Sequence, residues 1–301
     1  MLEEPREDGS ILFVSGDGRD KAYVWSVKKR ISENILNEEN KEEDTTNKTD
    51  YESFKIYELE GHTETVEYCK FDSSGRWMIT AGMNNMARVW DVANGFTLKT
   101  VVEEIPIEDM NFVEWHPTAP LFLIGGKDYM IWMVNAVSGK VMANFIGHEE
   151  EVLMARFSLF DGGKQVVSCS SDKTVRLWSP IKGECLMTIR NGTGKMPYHE
   201  EAIQCFELHP SRPLILTGGS DGSVFGAHYQ TGEISGVIGT HADSVESVAI
   251  SEELQIGVSA GIDSLILIYD LKGLTVRHRM KPTEYGGFTK VMFSTFKLNT
   301  K

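Results

Sequence analysis

A histidine, a serine or threonine, and an aspartate recur along this chain at near-constant distances from an aromatic residue. In the stretch Ser171-Asp172-Lys173-Thr174-Val175-Arg176-Leu177-Trp178, Asp172 lies six residues ahead of Trp178, Ser168 ten ahead and His148 thirty ahead. Serine, histidine and aspartate are the side chains of nucleophilic acyl transfer, with the histidine as base and the aspartate as its orienter. The same pattern returns elsewhere. Ser15, Thr80, Thr217 and Ser259 stand ten residues before the equivalent slots Trp25, Trp90, Ala227 and Tyr269. His62, His199, His241, Asp221 and Asp263 fill out the further sets, and Ile124 ahead of Val134 is the exception. An active site is normally single. A trio repeated at fixed offsets is therefore a structural device, a hydrogen-bonded set that allows polar groups to be buried.

Carboxylates form a second constellation. One strand per repeat starts at Val66, Met110, Val152, Ile203, Val245 and Phe288, with a second apolar residue five positions on at Phe71, Trp115, Phe157, Leu208, Ile250 and Phe293. Two residues ahead of each start stand Glu64, Glu108, Glu150, Glu201, Asp243 and Gly286. Further acids flank them at Glu67, Asp109, Glu149, Glu151, Glu200 and Glu246. Other chemistry fails on inspection. Gly192-Thr193-Gly194-Lys195-Met196 lacks the first glycine and the hydroxyl after lysine of a phosphate loop. No H-E-x-x-H, paired C-x-x-C or calcium-loop pattern is present. The sequence calls for no metal and no cofactor, and reads as a non-enzyme.

The elements that must position these groups are short strands. The slots Trp25, Trp90, Val134, Trp178, Ala227 and Tyr269 are spaced by 65, 44, 44, 49 and 42 residues. A period of about 40–45 with Gly-His before and Trp-Asp after marks a propeller blade. Apolar and alternating runs broken by Gly, Asp and Asn favour strands over helices. The Gly-Gly pairs at 125–126 and 218–219 stand just before turns whose chain reversal requires positive φ. The fold class is thus all-β, a propeller with about six blades' worth of strands. Residues 1–10 read as a tail, 11–295 as the propeller and 296–301 as a second tail. The insertion at 28–50, with seven acids and two lysines in its last twenty residues, reads as a mobile acidic loop. A last strand at Phe288–Phe293 is expected to start a seventh unit; it could instead complete the first unit and close a ring of six blades, or the sequence is a piece of a longer propeller. The acids ahead of the innermost strands would then circle the channel mouth. Two readings of that circle stand: a site for a Lys/Arg-rich segment, because neighbouring carboxylates repel unless something positive binds, or a solvated rim whose acids shape the turns.

Composition narrows the partners. The formal net charge is −14, which repels nucleic acid and attracts basic proteins. Cys69, Cys169, Cys185 and Cys205 lie far apart, which suits a reducing compartment. The start Met1-Leu2-Glu3-Glu4-Pro5 has no secretory pattern, and no apolar run approaches ~18 residues. A monomer in the cytoplasm, and also in the nucleus, with no direct nucleic-acid or membrane contact, is expected.

The segments EGHTETVEYCKFDSSGRWMITAGMNNMARVWDV and VSCSSDKTVRLWSPIKGEC resemble WD-repeat proteins, as do FVSGDGRDKAYVW and VEWHPTAPLFLIGG. With GLTVRHRM and TKVMF, the likeness narrows to the subfamily of the angio-associated migratory cell protein and its fungal relative. The resemblance covers nearly all of 10–295. It implies an acidic chaperone of a basic large-subunit ribosomal protein, whose N-terminal segment would be held during ribosome assembly. Glu64, Glu108, Glu150, Glu201 and Asp243 are the positions that could match that role. The alternative is a general scaffold in signalling or cell migration. Members of the subfamily are longer by about two blades.

Overall fold

The computed structural model describes residues 10–29, 51–102, 105–107, 109–193, 195–281 and 286–293. It is built of strands alone. The first sheet holds β1 (Ile11–Gly16), β2 (Ala22–Lys29) and β3 (Tyr51–Leu59). Five four-stranded sheets follow. The second is β4 (Val66–Phe71), β5 (Trp77–Gly82), β6 (Ala87–Asp91) and β7 (Thr97–Val102). The third is β8 (Met110–Trp115), β9 (Leu121–Gly126), β10 (Met130–Asn135) and β11 (Val141–Ile146). The fourth is β12 (Val152–Phe157), β13 (Val166–Ser170), β14 (Val175–Ser179) and β15 (Glu184–Ile189). The fifth is β16 (Ile203–Leu208), β17 (Leu214–Gly219), β18 (Ser223–His228) and β19 (Glu233–Thr240). The sixth is β20 (Val245–Ser251), β21 (Ile256–Gly261), β22 (Ile266–Asp270) and β23 (Thr275–Met280). Every sheet is an antiparallel meander, the arrangement of propeller blades.

The core lies between the sheets. One apolar cluster joins Trp77, Ile79 and Val89 of the second sheet to Val113, Phe122 and Val134 of the third. Another joins Val167, Leu177 and Ile189 of the fourth to Phe206, Ile215 and Phe225 of the fifth. Second strands such as β5 and β13 are buried along their whole length, because neighbouring sheets cover both faces. They therefore read as runs of apolar and small residues, interrupted by the buried hydroxyls of Thr80 and Ser168, rather than as alternating ones. Outer strands such as β15 begin exposed and become buried only at their last residue.

The turn leading into the strand of the aromatic slot has one residue with positive φ in every sheet: Asp20, Asn85, Tyr129, Lys173, Gly222 and Ser264. The Gly-Gly pairs themselves are not in that region. Gly219 is required for a different reason. A Cβ there would come within 2.5 Å of His199 Nδ1 and 2.9 Å of Asp221 Oδ1.

Two expectations need correction. The insertion does not begin at residue 28, since Lys28 and Lys29 pair with Glu52 and Tyr51 and lengthen the β2–β3 ladder. Its remainder, 30–50, falls outside the described residues. Residues 288–293 form no strand, and the first sheet stays three-stranded. Their polar contacts go to the sixth sheet instead: Phe288 N–H donates to Gly261 O at 3.0 Å, and Ser247 Oγ to Val291 O at 3.3 Å. The segment thus lies beside β20 without a ladder to β1.

Candidate functional site

The repeated His–Ser/Thr–Asp sets assemble within the sheets. In the fourth sheet Trp178 Nε1–H donates to Ser168 Oγ at 2.8 Å, and Ser168 lies 2.7 Å from His148 Nε2. His148 Nδ1 lies 2.8 Å from Asp172 Oδ2. These contacts fit one direction of donation, from indole to hydroxyl to imidazole to carboxylate, with the histidine neutral. Burial pushes His148 below its ordinary pKa, although Asp172 pulls the other way. Asp172 pays for partial burial, but hydrogen bonds from His148, Thr174 and Glu149 N–H still hold its carboxyl well below the usual range. The connectivity matches that of a hydrolytic triad. Ser168, however, has no exposed surface, and its oxygen is already engaged by the tryptophan. No substrate can reach it.

Parallel sets occur in other sheets. His62 Nε2 and Trp90 Nε1 meet Thr80 Oγ1 at 2.8 and 2.9 Å. His241 bridges Ser259 at 2.7 Å and Asp263 at 3.0 Å, while Tyr269 Oη takes the aromatic role at 2.6 Å from Ser259. In the fifth sheet the slot holds Ala227. Tyr198, adjacent to His199 in sequence, supplies its hydroxyl to Thr217 at 3.0 Å instead. His199 still reaches Thr217 at 2.9 Å and Asp221 at 3.2 Å. The third sheet replaces both ends with buried Ile124 and Val134. Removing both partners together strands neither of them, and of Asp128, the aspartate of this set, Oδ2 accepts from Trp132 Nε1–H at 2.8 Å while Oδ1 stays buried without a partner.

These sets position the acids. In four sheets the turn after the second strand donates a backbone N–H to the residue just ahead of the innermost strand. The pairs are Met83 to Thr65 O, Ser171 to Glu151 O, Ser220 to Ala202 O and Ile262 to Ser244 O, at 2.9–3.1 Å. The residue one step earlier is Glu64, Glu150, Glu201 or Asp243, and each is exposed. Adjacent innermost strands also meet start to start. Tyr68 Oη donates to Asn111 O at 2.6 Å, Asn111 Nδ2 to Val152 O at 3.0 Å, and Cys205 Sγ lies 3.4 Å from Val245 O. At the boundary of the fourth and fifth sheets, Arg156 Nη1 donates to Glu207 Oε1 at 2.5 Å, each residue four positions into its strand. The successive starts therefore open on one face. Among the described residues, Glu64, Glu67, Glu150, Glu201, Asp243 and Glu246 form no ion pair with a lysine or arginine. Asp109 does, with Lys127 Nζ at 2.5 Å. Glu108 lies outside the described residues.

Sequence reasoning missed a second layer. Four residues into the innermost strands stand Lys70, Glu114, Arg156 and Glu207, which pair across sheet boundaries as Lys70–Glu114 and Arg156–Glu207. Burial pushes the Glu207 carboxyl up, with Arg156 opposing and Glu114 reinforcing. Below the acidic rim these four side chains thus balance their charges in two pairs.

The fold and site together define a WD-repeat β-propeller. The sequence profile of the WD domain, G-beta repeat family matches residues 53–91, 139–179 and 184–225. The chain is similar to the angio-associated migratory cell protein of Canis lupus familiaris, with 26% identity over 283 residues, 89% of this chain and 57% of the relative. It is similar to the ribosome assembly protein SQT1 of Saccharomyces cerevisiae, with 25% identity over 259 residues, 78% of this chain and 59% of the relative. The crystal structure of Saccharomyces cerevisiae Sqt1 superposes with a TM-score of 0.73 at 21% identity, covering 94% of this chain and 74% of that one. The chain thus spans somewhat over half the length of these curated relatives.

Proposed function

We propose that this propeller binds the Lys/Arg-rich segment of a basic large-subunit ribosomal protein at its acidic rim and shields it until assembly into the ribosome. The carrying observation is the repeated placement of exposed carboxylates without cationic partners at Glu64, Glu150, Glu201 and Asp243, flanked by Glu67 and Glu246. A backbone hydrogen bond one residue away anchors the backbone at each, which lowers the ordering cost on binding. Such a surface steers cationic chains and gains charge-assisted hydrogen bonds on contact. The net charge of −14 adds long-range attraction. Similarity to a relative named a ribosome assembly protein supports the choice of client. The expected setting is a monomer in the cytoplasm and the nucleus, without direct nucleic-acid or membrane contact.

A scaffold that uses its flanks is favoured by a different observation. Val141, Met142 and Ile146 on β11 and Leu186 on β15 are 44–61% exposed. Capture of partners from a lysate at low and at high salt separates the two. One basic ribosomal client, released as salt rises, supports the rim. Several unrelated partners retained at high salt support the flanks and contradict the chaperone reading.

A further inference from the structure

The groove between the fourth and fifth sheets holds cations that the acidic rim does not use. Arg176 on β14 and Arg190, just beyond β15, border a cavity of about 680 Å³ with Thr188, Asn191, Gly192 and Thr193. No carboxylate lines that cavity. Both arginines and Asn191 also line an adjoining cavity of about 340 Å³, which adds Lys173 and three carboxylates, Asp172, already held by His148 and Thr174, and Glu149 and Glu200 at the rim. The two spaces share Arg176, Arg190 and Asn191 and form one groove that reaches Glu149 and Glu200.

Arg176 is poorly provided for. Its Nε is buried without a hydrogen-bond partner, as are those of Arg88 and Arg156, but Arg176 also lacks any bond from its terminal nitrogens among the described residues. Its guanidinium lies 6.0 Å from the Trp178 ring centroid, held close because Gly147 has no side chain; a Cβ there would come within 2.8 Å of Nη1. The equivalent Arg88 in the second sheet donates Nη2–H to Gly61 O at 2.6 Å. No such bond forms at Arg176. Neither Arg176 nor Arg190 makes an ion pair among the described residues, in a chain of net charge −14. A guanidinium desolvated on one side and unpaired is costly unless an anion completes it. Arg190 N–H donates to Thr193 Oγ1 at 2.8 Å, and Asn191 Oδ1 accepts Tyr198 N–H at 3.4 Å, which leaves the Asn191 amide N–H groups available.

We infer that this groove is an oxyanion subsite, in which Arg176, Arg190 and the Asn191 amide receive a carboxylate or phosphate group carried by a bound polypeptide. The guanidinium fork matches the two oxygens of such a group. A segment with basic residues at the rim and an acidic or phosphorylated residue further along would then bind in one direction only. The oxyanion site stands on the groove alone, while its role in orienting a segment rests on the rim reading.

Two measurements test it on the full chain. Inorganic phosphate is titrated while the ¹⁵N-labelled arginine Nε–Hε signals are followed. Saturable shifts at Arg176 and Arg190, lost in Arg190→Gln with other signals unchanged, are expected. No saturable shift overturns the site. In parallel, a lysine-rich peptide is compared with the same peptide bearing a C-terminal phosphoserine extension. The extended peptide is expected to bind about tenfold tighter, about 1.4 kcal/mol. Arg176→Gln/Arg190→Gln should abolish that gain and leave the plain peptide unaffected. Phosphate shifts without a peptide gain would mean that only free phosphate binds, and would overturn the polypeptide assignment. An arginine-dependent preference for a single-stranded RNA over the phosphopeptide would overturn it as well. If neither peptide binds, the rim reading and the orienting role fail together, and the phosphate titration still decides the arginine site.

Discussion

Replacing Ser168 by alanine removes one oxygen from the interior of the fourth sheet and strands two neighbours. Trp178 Nε1–H loses its acceptor at 2.8 Å, and His148 Nε2 loses its partner at 2.7 Å. Both side chains are buried, with Trp178 fully so. The space freed is too small for water to enter and replace both bonds. An unsatisfied buried polar group costs about 1–3 kcal/mol, so the pair costs about 2–6 kcal/mol. Relaxation of the imidazole toward Asp172 favours the lower half of that range. Ser168→Thr is the control, because Thr80 and Thr217 do the same work in the second and fifth sheets. It keeps both hydrogen bonds and adds one methyl group to a packed interior, so it should cost less than the alanine. Urea unfolding followed by circular dichroism reads both, provided the slope of the transition is unchanged. The reasoning is refuted if Ser168→Ala costs less than about 0.5 kcal/mol, the scatter of neutral surface changes, or if the threonine costs as much as the alanine.

Acidification should weaken the fold. Burial lowers the pKa values of His62, His116, His148 and His209, so each contributes stability that is present above its unfolded value near pH ~6.5 and is lost as pH falls below it. Asp172 is lowered too and adds a further loss below its unfolded value near pH ~4. A urea midpoint that stays flat or rises from pH 7.5 to 5 contradicts this. Burial pushes the Cys69 thiol up to about 12 and raises Cys169 and Cys205 as well, whereas Cys185 is exposed. Iodoacetamide should therefore label Cys185 first in the native protein, and mass spectrometry showing earlier labelling at Cys169 would contradict the burial. Arg156→Met leaves Glu207 unpaired beside Glu114 and should cost about 1–3 kcal/mol, while Arg156→Met/Glu207→Leu should recover most of that. Equal losses for the single and double variants would show that the pair is not the reason.

Periodicity made much of this molecule legible. The hydroxyl ten residues before each aromatic slot is tied to it by strand pairing, as where Ser168 stands beside Arg176 across β13 and β14. Local ladders of that kind repeat in register, so one well-marked repeat predicts the others. The exposed acids were legible for the same reason, since the turn-to-loop hydrogen bonds recur at 18–20 residues. Contacts between sheets were not. Lys70 and Glu114 are 44 residues apart and Arg156 and Glu207 are 51 apart, and their meeting depends on how neighbouring sheets pack, which no local pattern marks. Tyr198 escaped notice because it reaches the fifth set from the residue beside His199 rather than from the slot held by Ala227. Residues 288–293 carry a strand-like pattern, yet the backbone there bonds to the sixth sheet in place of a ladder.

The central claim is that the exposed acids act together on a cationic chain. Fluorescence anisotropy of a labelled lysine- and arginine-rich peptide, titrated with the intact protein at several salt concentrations, tests it directly. The wild type should bind with affinity that falls steeply as salt rises. Glu64→Gln/Glu150→Gln/Glu201→Gln/Asp243→Asn should weaken low-salt binding by about tenfold or more and flatten the salt dependence, at about 0.2–1 kcal/mol per exposed carboxylate. Unchanged affinity and an unchanged salt slope in that variant would contradict the account.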